Sequence, residues 1–117
     1  MHQFTGWFVL RDSPGETDPQ RQDEVVREVG KFISDELSWL SGFVEMKTID
    51  GETLVTITGL TNHKGVEAEE VDRLLERICR TAPRSFGVLH DWDDEATEWP
   101  GPQAFMVRVL TRGQVEV

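Results

Sequence analysis

Asp50-Gly51 narrows the folds open to this chain more than any other pair, because it separates two runs of strand-like composition by the two residues of a tight hairpin. Both central residues of such a turn need positive φ, which Gly adopts freely and Asp tolerates. The runs Phe43 to Ile49 and Thr53 to Thr58 are therefore expected to be antiparallel neighbours. A helix-patterned segment lies on each side of this hairpin. Upstream, Asp18 supplies a capping side chain and Pro19 suits the first helical position. Val25, Val26, Val29, Phe32, Ile33 and Leu37 then recur at helical spacing, with Arg21, Arg27 and Lys31 turned mainly outward. Gly30 inside this helix costs ~1 kcal/mol against Ala unless a close neighbour requires it. Downstream, Val66 to Ala82 places Ala68, Val71, Leu74, Leu75, Ile78 and Cys79 on one face. Glu69 with Arg73, and Glu76 with Arg80, form i,i+4 pairs on the other, and Pro83 ends the helix.

Three further runs read as strands. Gln3 to Arg11 is apolar on both faces, as a central strand would be. Ser85 to His90 and Gln103 to Leu110 flank an acidic connection, and Gly113 turns the chain into a short final extended piece. The order strand, helix, strand, strand, helix, strand, strand predicts an α+β fold. We expect a ferredoxin-like βαββαβ sandwich with an additional C-terminal strand, two helices covering one face of an antiparallel sheet and the other face open.

At 117 residues and 38% hydrophobic content, the chain is expected to form a single domain over 1–117. Its 22 acidic against 12 basic residues give a formal charge of −10. That balance argues against DNA, RNA and anionic membranes, whose phosphates are gripped by clustered Lys and Arg. It favours a positively charged partner instead. A lone cysteine, Cys79, makes no internal disulfide, and Met1-His2-Gln3-Phe4 lacks the basic-then-apolar pattern of a leader, so a cytoplasmic location is expected.

Catalytic templates find little support: there is no Gly-rich phosphate loop and no nucleophile elbow. Cys79 sits at the edge of an apolar stripe, where a core thiol is the stronger reading. His90 to Glu95 alternates oxygen ligands, yet Ala96 stands where a calcium loop needs Gly and Pro102 where it needs a bidentate Glu. No cofactor or metal is expected. Asn62-His63-Lys64 reads as a turn organised by its own side chains rather than as a base. The connection Asp91 to Gly101 is the most informative stretch, with five acidic residues and two tryptophans. Aromatic area flanked by carboxylates is the chemistry of an interface that selects basic partners. Asp91, Trp92, Asp93, Asp94, Glu95, Glu98 and Trp99 are accordingly the candidate contact residues, while Trp7 and Trp39 are expected at the core or its rim.

Several strings, taken in order, resemble immunity proteins of bacterial polymorphic toxin systems, specifically the immunity protein 7 family. They are Gly6-Trp7-Phe8-Val9-Leu10, Gly42-Phe43-Val44, Gly59-Leu60-Thr61-Asn62-His63 and Ser85-Phe86-Gly87-Val88-Leu89. The resemblance implies a non-enzymatic cytoplasmic protein that binds and neutralises a cognate toxin domain, often a nuclease with a basic surface. Of the family-motif residues, Trp7, Asn62 and His63 are expected to serve the fold, since toxin-binding surfaces vary with the toxin. The alternative is a small ferredoxin-like regulatory or ligand-binding module that acts as a dimer through its open sheet face. A third reading, a hydrolase using His63 or His90, would require a metal-dependent activity.

Overall fold

The computed structural model describes residues 1–13, 18–95 and 105–117. Strand β1 (His2–Leu10) is followed by helix α1 (Pro19–Glu36), the hairpin β2 (Val44–Ile49) and β3 (Glu52–Thr61), helix α2 (Val66–Thr81), and strands β4 (Phe86–Asp93), β5 (Phe105–Thr111) and β6 (Gln114–Glu116). A 3₁₀ turn, Leu40–Phe43, precedes β2. The strands form one open antiparallel sheet in the order β2-β3-β1-β4-β5-β6. Each helix joins two strands with a third between them: α1 joins β1 to β2 across β3, and α2 joins β3 to β4 across β1. The short piece after Gly113 is a sixth strand, so two strands rather than one extend the sheet beyond β4.

Local chemistry accounts for these elements. Asp18 Oδ1 accepts from the Gln20 N–H at 3.0 Å, and Pro19 opens α1. Asp50 and Gly51 both take positive φ, 51° and 81°, as the hairpin demands. Arg112 and Gly113 repeat the device between β5 and β6, at 52° and 74°. On α2, Arg80 pairs with Glu76, whereas Arg73 turns away from Glu69 to Glu36 of α1.

The core lies between the two helices and one sheet face. Phe4, Phe8 and Leu10 of β1, Val55 and Ile57 of β3, Leu89 of β4 and Leu110 of β5 pack against Val29, Phe32 and Ile33 of α1 and Val71, Leu74, Leu75 and Ile78 of α2. Truncating one of these phenylalanines to Ala typically costs ~3–5 kcal/mol. Two glycines make room for those rings. A Cβ at Gly59 would fall on the Phe4 ring, and one at Gly87 would fall on the Trp7 carbonyl oxygen and the Phe8 side chain. Alternation along β1 then sends Gln3, Thr5 and Trp7 to the other face, which no helix among the described residues covers.

Candidate functional site

The start of β1, the end of β3, the start of α2 and the end of β4 converge at one end of the sheet. Pairing runs to the last residues there, with His2 opposite both Thr61 and Asp93. This extends β3 three residues past Thr58 and β4 three residues past His90. Asp91, Trp92 and Asp93, expected in a loop, therefore stand in a strand and alternate between faces. Asp91 faces the helices beside Phe4, and Trp92 faces away beside Gln3.

Alternation gives the acidic residues different environments. Asp91 Oδ1 lies 2.6 Å from His2 Nε2, and its Oδ2 accepts from Arg108 at 3.4 Å. Arg108 also donates to Asp72 of α2 at 2.6 Å. The other nitrogen of His2, Nδ1, lies 2.8 Å from Glu67 Oε1. The imidazole is fully covered and Glu67 is 3% exposed, while the Asp91 side chain is 12% exposed. Each ring nitrogen thus faces one carboxylate, and His2 bridges Glu67 and Asp91. Glu67 Oε1 also accepts from the Gly65 N–H at 2.8 Å and lies 3.1 Å from the Thr61 hydroxyl. Burial pushes the Glu67 carboxyl up, but bonds from the Gly65 N–H, His2, its own N–H and Thr61 outweigh that and hold it below the usual range. Asp91 thus belongs to a buried polar network that ties β1, β4, β5 and α2 together.

Beyond this network the chain turns outward. Asp93 Oδ1 accepts from the Glu95 N–H at 3.0 Å, shaping the turn. Asp94 and Glu95 are exposed; the Met1 ammonium pairs with Asp94, and Glu95 Oε1 lies 2.6 Å from His63 Nδ1. The candidate contact residues Asp93, Asp94 and Glu95 are therefore brought together with His63, which the sequence had separated into a different group. Trp92 stacks on Phe105 with ring centroids 6.1 Å apart. Glu98 and Trp99 lie outside the described residues. Asn62 is exposed, and Trp7 is 42% exposed on the uncovered face, in edge contact with Phe86, rather than in the core. Trp39 stacks on Phe43 at 4.7 Å, near the start of β2. Cys79 packs at the margin of the core, and burial pushes its thiol up, away from reactivity.

Sequence reasoning passed over His2, Glu67, Glu70 and Arg108. Glu67 and Glu70 follow the inward positions of α2 as closely as Val71 does, so periodicity alone marked them for burial, but their charge discouraged that assignment. Glu70 accepts from the Trp39 N–H at 3.2 Å, fixing the chain as it leaves α1. His2 alternates in phase with Phe4 and Phe8, the one available signal for its burial.

No helix among the described residues is long and apolar enough to cross a membrane. Neither the curated proteins nor the solved structures contain a match. The family model described as Immunity protein 7, however, matches residues 1–117, the whole chain. The chain therefore belongs to the immunity protein 7 family, the immunity proteins of a toxin system.

Proposed function

We propose that this protein acts in the cytoplasm by binding, without catalysis, to a cognate toxin domain of a polymorphic toxin system. The toxin is a nuclease whose basic, phosphate-gripping surface is occupied by carboxylates. The candidate contact residues are Asp91, Trp92, Asp93, Asp94, Glu95, Glu98 and Trp99. The observation that carries this reading is the acidic turn at the end of β4, where Asp94 and Glu95 stand exposed beside the stacked Trp92 and Phe105. The net charge of −10 supports a basic partner further, since an opposite field speeds encounter and selects against acidic surfaces. Within the set, Asp93, Asp94, Glu95 and Trp92 are available for contact, whereas Asp91 contributes by holding the turn's root through His2 and Arg108.

The test is co-expression with the toxin-domain product of the adjacent gene. Co-purification and rescue of growth are the expected results. Reversing the charges of Asp93, Asp94 and Glu95 to lysine is expected to weaken the complex while leaving the protein folded. Unchanged affinity in that variant would remove the turn from the interface.

A further inference from the structure

The sheet face opposite α1 and α2 is not the polar surface that a solvated antiparallel sheet usually presents. Trp7, Val88 and Val109 lie in one row across β1, β4 and β5, and Val9 stands opposite Phe86. Gln3, Trp92 and Phe105 form the row nearest the acidic turn, and Thr5, His90 and Val107 the row between. Phe105 is 64% exposed, and Trp7, Phe86, Val107 and Val109 are each close to 40% exposed. Their combined surface is on the order of a few hundred Å², the size at which an exposed apolar patch marks an interaction site.

We infer that this face, centred on Trp7, Phe86, Val107 and Val109, is where an apolar portion of the toxin domain docks, so that one partner covers the face and the acidic turn together. The inference rests on the toxin-binding reading and names a second surface for it. Continuity supports it, because Trp92 belongs both to the open face and to the strand end that leads directly into Asp93, Asp94 and Glu95. Charge decides between a toxin and a second copy of this chain. The ionic groups on the face are largely matched within it, Arg11 with Glu52 and Lys47 with Glu45, leaving Arg84 at one end and Glu116 at the edge. The acidic turn supplies the excess at the Trp92 end. Two copies stacked face to face would bring together chains of charge −10 each, and a net charge of that size resists self-association. A partner with an apolar centre and a basic margin meets both the aromatic rows and the carboxylates. Such an arrangement, an apolar anchor region with a charged rim, is where binding energy concentrates.

The experiment is calorimetric titration of the co-purified toxin domain with wild type and two variants. One carries Phe105→Ala, Val107→Thr and Val109→Thr; the other carries Asp93→Lys, Asp94→Lys and Glu95→Lys. Threonine keeps the strand preference of valine at exposed positions, and thermal melting checks that each variant is folded. The face variant is expected to bind roughly 30-fold more weakly with an unchanged dependence on salt, as loss of apolar contact requires. The charge variant is expected to bind more weakly with a flattened salt dependence. Affinity unchanged in the face variant would overturn the inference while leaving toxin binding intact. A wild-type dimer in light scattering, dissolved by the face variant whose toxin affinity stays the same, would overturn it in favour of a second copy. Absence of toxin binding by wild type would remove the proposed function as well.

Discussion

His2 is held between Glu67 and Asp91 in the interior, and this has consequences for stability that differ from those of the exposed carboxylates. Replacing it with Ala would leave the buried Glu67 and the half-buried Asp91 without their shared partner. Breaking a buried polar network in that way costs ~2–4 kcal/mol, so His2→Ala is expected to lower the urea midpoint markedly. Asp91→Asn should act in the same direction, whereas Glu95→Gln, at an exposed site, should change stability by less than ~0.5 kcal/mol. Glu67 adds a dependence on pH. Its folded pKa is depressed, so its contribution is fully present above the ordinary glutamate value and is lost as pH falls through the lowered folded value. Denaturation midpoints are thus expected to decline on acidification below about pH 4, and Glu67→Gln to flatten that decline. A Glu67→Gln protein with the wild-type acid limb would contradict this assignment.

The elements most legible in the sequence were those set by local chemistry. Asp18-Pro19 opened α1, Asp50-Gly51 turned the hairpin, and the apolar stripes of both helices face the sheet. The strand ends were less legible because pairing, not propensity, sets them. Thr61 and Asp93 stay extended because each stands opposite His2, and no local signal in Leu60-Thr61 or Trp92-Asp93 reveals that partner. The acidic stretch was recognised, but its division into an inward-facing, half-buried Asp91 and an exposed turn follows from sheet alternation once the strand is known to continue. Glycines give the sharpest tests at this scale. At Gly30 a Cβ would meet only Met46 Sδ at 3.6 Å, an ordinary contact. Gly30→Ala is therefore expected to stabilise the protein by ~1 kcal/mol in urea denaturation. At Gly87 a Cβ would lie on the Trp7 carbonyl oxygen, so Gly87→Ala is expected to cost ~3 kcal/mol or more. Equal stability of the two variants would contradict the packing described for β1 and β4.

For the whole molecule, α1 and α2 cover one sheet face and leave the other uncovered by either, and the polar network at the sheet end carries the acidic turn at the edge of that face. The proposed capture of a basic toxin domain by that acidic end makes binding sensitive to salt. That capture is tested most directly by calorimetric titration of the toxin domain at a series of salt concentrations. Nanomolar, one-to-one binding that weakens steadily as salt rises is expected, because exposed charges are screened over about 8 Å at physiological ionic strength. Tight binding that is indifferent to salt, or no binding at all, would contradict it.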